Sequence, residues 1–340
     1  MDLTTKYLGL TLKNPLVASA GPIARTVQGV EHLADAGVGA IVLPSLFEEQ
    51  VRREAERDAQ LAEAGAESFA ESLSYLPDTG GEAGPRRYLD LLGRAIGAAD
   101  VPVIASLNGV TAGGWTDYAA AIEEMGAAAI ELNVYYLPAD PRMPGRDVEQ
   151  RYVDILTTVK AAVSIPVAVK LGPFFSSAGV VAVRLDRAGA DGLVLFNRFM
   201  QTDIDPETLT VSTGLTLSNP AEAALPRSWI ARLRGLVGAS LAASTGVETG
   251  ADVAAYLLAG ADVVMTTSSL LRHGPGHVAE LIDGLSGWLK RKGFSAVDDV
   301  RGLLAVPAGA QGSAFERAGY LTAIKEASAA YGPTAHSDDS

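Results

Sequence analysis

Short apolar runs recur along the chain, and several of them follow a junction that contains glycine. Four of these junctions pair an alanine or methionine with a glycine, at Gly37, Gly126, Gly189 and Gly260. Glycine suits the residue just after the last turn of a helix, where the backbone turns left-handed. The apolar run that follows each glycine is typical of a strand that is buried on both faces.

Eight strands are predicted in all, and three of their cores begin at a proline, which a strand tolerates in its first residues. Their cores are Pro15–Ala18, Ile41–Leu43, Pro102–Ile104, Ala129–Leu132, Pro166–Val169, Leu193–Leu195, Ser240–Ala243 and Val263–Met265. Amphipathic helical stretches such as residues 119–125 and 151–163 separate them. Alternation of this kind predicts an α/β fold with a parallel sheet, and eight units predict a (β/α)8 TIM barrel. An open, doubly wound sheet also fits the pattern.

Three connections are longer than a barrel needs, at residues 45–100, 133–145 and 197–226. All three follow the carboxyl ends of predicted strands, which is the functional face of a barrel, so we expect extended loops there. No break in composition marks a linker. We therefore expect a single domain over residues 1–331 and a disordered tail over residues 332–340.

Polar residues stand where the predicted strands end. They are Ser45, Ser106, Asn108, Asn133, Lys170, Asn197, Gly246, Thr267 and Ser268. Gly246 and the Thr267–Ser268 pair end strands seven and eight, the usual phosphate site of a barrel, while asparagine amides suit a polar heterocycle. The set predicts a ligand with a phosphate and a polar ring. Each residue alone also fits a turn, a helix cap or a solvated strand end.

Composition narrows the function by exclusion. The formal net charge of −13 disfavours nucleic acid and anionic membrane surfaces as partners. The absence of cysteine excludes disulfides, iron–sulfur clusters and a cysteine base. His273 and His277 are separated by Gly-Pro-Gly, which favours loop chemistry over a metal site, so no metal is predicted. The first residues do not resemble a signal peptide, and a cytoplasmic location is expected.

Between about Leu8 and Leu289 the chain resembles the dihydroorotate dehydrogenase family of flavin-dependent barrels. The similar segments are residues 12–21, Glu131-Leu132-Asn133, Val169-Lys170-Leu171, Asn197 and Ser244-Thr245-Gly246-Val247. Their order and spacing carry the resemblance, since no single segment is specific.

The resemblance implies FMN as the cofactor and a role for each matched residue. Ala20 and Gly21 would lie against the flavin, Ser45 would contact its ring edge, and Lys170 would stabilise negative charge on the reduced ring. Asn133 would reach both flavin and substrate, and Asn197 would bind substrate. Gly246, Thr267 and Ser268 would hold the phosphate. Ser106 and Asn108, which end strand three, are taken as further cofactor-binding residues.

The chain departs from the family pattern at three of these positions. Tyr136 stands where the family has a cysteine or serine that removes the substrate proton, and Tyr135 precedes it. Pro44 replaces the usual lysine before Ser45, and Thr267 replaces a glycine. Tyr135 and Tyr136 are read as an acid/base pair, with Tyr136 catalytic, or as residues that stack on a substrate ring; packing of the loop is the alternative.

These observations favour an FMN-dependent oxidoreductase acting on CH–CH donors. Hydride would pass between flavin N5 and a small polar substrate, either dihydroorotate or a different donor, and an external acceptor would take the electrons. The resemblance also implies a place in pyrimidine biosynthesis and a homodimer. Two alternatives stay open, a non-redox barrel enzyme acting on a phosphorylated metabolite and a flavin-binding protein that has lost catalysis.

Overall fold

Parallel strands pair in sequence around a closed barrel. The structure is a computed structural model that describes residues 1–54, 56, 84–111, 116–138, 140–198, 203–212, 216–307, 309 and 312–331. The strands of this part of the chain are β1 (Thr5–Tyr7), β2 (Leu10–Leu12), β3 (Leu16–Ala18), β4 (Ala40–Val42), β5 (Leu46–Phe47), β6 (Val103–Asn108), β7 (Ala129–Asn133), β8 (Val167–Leu171), β9 (Gly192–Leu195), β10 (Asp203–Asp205), β11 (Thr210–Ser212), β12 (Ser240–Ser244) and β13 (Val263–Thr266). The parallel sheet runs β4-β3-β13-β12-β9-β8-β7-β6, and pairing of β4 with β6 closes it.

Helices surround this barrel. They are α1 (Val27–Asp35), α2 (Pro85–Ala98), α3 (Thr116–Glu124), α4 (Gly145–Ala162), α5 (Ala178–Arg187), α6 (Ala224–Leu233), α7 (Gly250–Ala259), α8 (Ser268–His273) and α9 (His277–Lys292). The predicted TIM barrel is confirmed. All eight predicted strands are present, and Gly37, Gly126, Gly189 and Gly260 all have positive φ, between 90° and 118°.

Contacts divide the chain into two units, residues 1–305 and 306–340. The first unit holds the barrel, and the second contains helix α10 (Gly312–Tyr331). The single domain over residues 1–331 stays a prediction, and the predicted tail 332–340 lies outside the described residues. None of the described helices combines the length and apolar character needed to cross a membrane.

An N-terminal hairpin, absent from the prediction, closes one end of the barrel. Strands β1 and β2 pair in antiparallel fashion around Leu8 and Gly9, whose φ values of 54° and 77° are those of a type I′ turn. Tyr7, Leu8 and Leu12 are buried among the inward-facing residues of the barrel strands.

Small residues on the strands make room for this plug. Ala40, Ala129, Ala168 and Ala242 face the barrel interior beside it. Gly192 is a further accommodation, since a Cβ atom there would lie 2.5 Å from the Leu8 side chain. The plug therefore fills the amino-terminal half of the interior, and chemistry is confined to the carboxyl ends of the strands.

Tyr7→Ala removes the largest side chain of the plug. Because the ring is 1% exposed, we expect a loss of about 3–5 kcal/mol in the free energy of unfolding, measured by urea denaturation. Lys6→Ala, on the exposed face of the same strand, should change it by less than about 0.5 kcal/mol. Equal losses in the two variants would contradict the plug.

Candidate functional site

The two-residue period of the strands sorts side chains between the barrel interior and the surrounding helices. Ala129 and Ala168 face inward near the starts of β7 and β8. Two residues further along, Glu131 and Lys170 therefore face inward as well, and they are 1% and 6% exposed. A layer of polar groups thus lies above the apolar plug.

Lys170 is held by two partners inside this layer. Its Nζ atom donates a hydrogen bond to Ser19 Oγ at 3.1 Å and lies 3.5 Å from Glu131 Oε1. Neither carboxylate oxygen of Glu131 has a hydrogen-bond partner among the residues that the structure describes. The ammonium group is thereby fixed at the wall of the barrel mouth.

The two predicted asparagines meet at the ends of β7 and β9. Asn197 Nδ2 donates to Asn133 Oδ1 at 2.6 Å. The Asn197 amide N–H also donates to Leu171 O at 2.7 Å, which anchors the residue to the end of β8. The paired side chains form an amide edge on the same side of the barrel as Lys170.

A cavity of about 230 Å³ opens at this end of the barrel. The predicted site residues in its wall are Ala20, Gly21, Lys170, Asn197, Gly246, Thr267 and Ser268. The wall also contains residues without a predicted role, among them Ser19, Arg198, Thr216, Ser218 and Ser244. Arg198 is paired with Glu222 at 3.0 Å and therefore ties the segment around residues 216–222 to the end of β9.

One end of the cavity is built from backbone amides and hydroxyls. Thr245 and Gly246 have φ values of 86° and 71°, a left-handed turn that exposes backbone N–H groups. The Gly246 N–H donates to Ser218 Oγ at 3.3 Å, and the Ser218 N–H donates to Ser268 Oγ at 3.0 Å. Helix α8 begins at Ser268, so the amides of its first turn have no partner within the helix.

Thr267 occupies the position where the family pattern has glycine, and it packs directly on Gly21. Its hydroxyl donates to Ser19 O at 2.7 Å. A Cβ atom at Gly21 would lie 2.5 Å from Thr267 Cγ2 and 3.0 Å from Thr267 Oγ1. The larger residue just after β13 is therefore matched by a glycine just after the neighbouring strand β3.

Four predicted residues at the neighbouring strand ends do not line this cavity: Ser45, Ser106, Asn108 and Asn133. Ser45 Oγ and Ser106 Oγ share a hydrogen bond of 2.8 Å. Asn108 ends β6, is 8% exposed, and lies beside Asn133 in the strand register. Ser45, Ser106 and Asn108 thus extend the polar layer away from Lys170.

Glu48 organises the loop after β6. Its carboxylate accepts the amide N–H groups of Val110 and Thr111 at 2.8 and 3.1 Å and pairs with Arg52 at 2.5 Å. Burial acts to raise the pKa of the Glu48 carboxyl, but the hydrogen bonds from Thr111 and Val110, with the charge of Arg52, outweigh it and lower that pKa below its usual value. The loop is held in place by an ionised side chain.

The tyrosines after β7 lie outside the cavity wall. The Tyr136 hydroxyl donates to Met143 Sδ at 3.0 Å, and the Arg151 guanidinium lies over the Tyr136 ring, 4.3 Å from its centre. Tyr135 is half-buried. Neither tyrosine is part of the cavity wall, and a proton-transfer role for Tyr136 stays a prediction.

The two histidines of the sequence pattern belong to different helices. His273 ends α8 and contacts Glu248 Oε1 at 2.5 Å, whereas His277 begins α9 and contacts Glu248 O at 3.0 Å. Among the described residues, no group of three or more histidine or acidic side chains is arranged to hold a metal ion.

Sequence reasoning missed Glu131, Ser19 and Ser218 as members of the site. Glu131 could have been found, because it precedes Asn133 by two residues on a predicted strand and so shares its face. Ser218 lies in a long connection without periodicity, and nothing in the sequence signals that it reaches Gly246.

Comparison with known proteins gives a consistent family. A family profile described as dihydroorotate dehydrogenase matches residues 2–289. The chain is 28% identical over 276 residues to a putative dihydroorotate dehydrogenase A (fumarate) of Aeropyrum pernix, covering 72% of this chain and 88% of that protein. It is 27% identical over 319 residues to the dihydroorotate dehydrogenase B (NAD(+)) catalytic subunit of Methanothermobacter thermautotrophicus, covering 88% and 98%. The NAD-dependent dihydropyrimidine dehydrogenase subunit PreA of Escherichia coli is 25% identical over 335 residues, covering 89% and 76%.

Gly21→Ala tests the contact between the first and last strands of the barrel. We expect a loss of about 1–3 kcal/mol in the free energy of unfolding, because the new methyl group overlaps Thr267 Cγ2. The double variant Gly21→Ala with Thr267→Ser, which lacks that methyl group, should recover most of the loss. Gly97→Ala, in a helix with nothing near its added Cβ, should be neutral or stabilising. No recovery in the double variant would contradict the contact.

Glu48→Gln tests the ionised anchor of the β6 loop. A carboxyl whose folded-state pKa is lowered adds stability above its unfolded pKa of about 4.3, and loses it as the pH falls through the folded value. We expect the variant to be less stable by about 1–3 kcal/mol at pH 7, with a difference that shrinks below about pH 4. Glu49→Gln, an exposed neighbour, is the control in urea denaturation. A difference independent of pH would contradict the assignment.

Proposed function

The chain belongs to the dihydroorotate dehydrogenase family, and on that basis we propose that it binds FMN at the carboxyl ends of its barrel strands and oxidises or reduces a small polar substrate. Family membership confirms the prediction of an oxidoreductase of the kind that acts on CH–CH donors. The cofactor and the substrate are the proposal. The observation that carries it is the buried ammonium group of Lys170 in the cavity wall.

The residues of the cavity suit the two chemically different ends of FMN. A phosphate needs N–H donors and hydroxyls, which Gly246, Ser218 and the first turn of α8 provide. A flavin ring must pack closely against the backbone. Gly21 allows this because it has no side chain, and its contact with Thr267 leaves no room for one.

Lys170 and the asparagines would do the work at the ring end. When bound, FMN supplies hydride transfer at N5. Lys170 would stabilise the negative charge of the reduced ring from a buried position, where a fixed charge is worth more than in water. The Asn133–Asn197 bond uses one donor and one acceptor, which leaves the Asn133 NH₂ group and the Asn197 oxygen to meet a substrate amide.

The substrate class follows from this amide edge. The relatives are named for dihydroorotate or for dihydropyrimidines, and cyclic amides of this type match a donor and acceptor pair. We propose a cyclic, amide-bearing CH–CH donor as the substrate and an external electron acceptor. Tyr136 as the base, a homodimer, a cytoplasmic location and a place in pyrimidine biosynthesis belong to the same proposal.

Lys170→Ala is the test at the level of the reaction. FMN-loaded protein is mixed anaerobically with dihydroorotate, or with dihydrouracil as a second dihydropyrimidine, and bleaching of the flavin band is followed. We expect bleaching in the parent and at least about a 100-fold lower rate, or loss of flavin, in Lys170→Ala with the fold retained. Lys160→Ala, which removes a lysine paired with Asp191 outside the barrel mouth, is the control.

Each contrary result has a separate meaning. Normal turnover by Lys170→Ala would contradict the placement of the flavin. A bound flavin that neither compound bleaches would point to a different donor or to a flavin-binding protein without this catalysis. Protein that does not take up FMN would favour a non-redox barrel enzyme.

A further inference from the structure

Glu131 is a buried carboxylate for which stability offers no explanation. The residue is 1% exposed, and within the described part of the chain neither carboxylate oxygen has a hydrogen-bond partner. A buried charge without hydrogen bonds is costly, and an apolar side chain of similar size is often at least as stable in such a place.

The surroundings of Glu131 leave Lys170 as its counter-charge in the described part of the chain. Lys170 Nζ lies 3.5 Å from Oε1. Two tyrosines lie near enough to sense the carboxylate: burial, and then its negative charge, raises the pKa of Tyr7. Burial also raises the pKa of Tyr88, whose hydroxyl is bonded to the backbone of Ser106.

The location of the pair connects it to the candidate site. Glu131 precedes Asn133 by two residues on β7, and Lys170, on β8, lines the cavity. Pairing of these strands sets Asn133 beside Lys170 in the register. The carboxylate therefore lies closer to the strand starts than the cavity does. Its contact with the cavity wall is the ammonium group of Lys170.

We propose that Glu131 is a positioning residue that acts through Lys170, holding the ammonium group at the cavity wall and offsetting part of the positive charge that a bound flavin meets. The flavin part of this inference rests on the proposed function. Without the carboxylate, Ser19 would be the remaining partner of the ammonium among the described residues, and the charge would act undiminished on the cavity.

The charge balance predicts the direction of a measurable effect. A reduced flavin is more negative than an oxidised one, so a nearby carboxylate disfavours reduction and a nearby ammonium favours it. Glu131→Gln keeps the shape and removes the negative charge. It should therefore raise the midpoint potential of bound FMN.

The holoprotein experiment is an anaerobic reductive titration against a reference dye. For Glu131→Gln we expect the ratio of reduced to oxidised flavin at a fixed potential to rise at least tenfold, which is about 30 mV for a two-electron couple. Asp262→Asn is the matched control, because it removes another buried, ion-paired carboxylate at the opposite ends of the strands. It should lower the melting temperature and leave the potential unchanged.

An experiment on the apoprotein separates this inference from the cofactor proposal. An acylating reagent must reach Lys170 Nζ, and the ion pair with Glu131 holds that atom against the barrel wall. Modification of Lys170 at pH 8 by acetic anhydride, quantified by peptide mass spectrometry, should be at least tenfold faster in Glu131→Gln and unchanged in Asp262→Asn.

The outcomes are distinguishable. Unchanged labelling of Lys170 in Glu131→Gln overturns the inference whether or not flavin binds. Faster labelling with an unmoved flavin potential overturns the link to the flavin. If the protein takes up no FMN, the cofactor proposal is wrong. The labelling result alone then decides whether Glu131 positions Lys170.

Discussion

Closure of the eight-stranded barrel is the constraint on which the rest of the molecule depends. In a closed barrel every second residue of a strand faces the interior, so each strand contributes one sequence of inward side chains from its beginning to its end. On β7 that sequence is Ala129, Glu131 and Asn133, and on β8 it is Ala168 and Lys170. Apolar residues at the strand starts and polar residues at the ends divide one interior into a plug and a site.

The plug and the site therefore support each other. Tyr7 and its neighbours fill the amino-terminal half, which excludes water from below Glu131 and Lys170. A charge in such surroundings is weakly screened, and its effect on a ligand is correspondingly large. The hydroxyls and amides around Gly246 stay at the opposite side of the cavity, where helix α8 begins. The cavity thus has the Lys170 ammonium group on one side and, on the other, N–H and hydroxyl groups of the kind that bind phosphate.

Local patterns predicted the strands, the glycines with positive φ and the cavity residues Lys170, Asn197, Gly246, Thr267 and Ser268. The strands and glycines could be predicted because a buried strand and a helix-ending glycine each have a sequence pattern only a few residues long. The N-terminal hairpin was not predicted, because Leu8 occupies a turn position where asparagine or glycine is usual. The surroundings of Tyr136 and Ser218 also escaped prediction, since they depend on Met143, Arg151 and Gly246, which come from other segments.

The most direct test of the account is whether the purified protein carries flavin. The visible absorption spectrum is recorded, the protein is then denatured, and the released cofactor is identified by chromatography and quantified per chain. The account predicts an oxidised flavin band and release of FMN, one per chain after incubation with excess FMN. A protein that shows no flavin band, and that binds no FMN when it is supplied, would contradict the central claim.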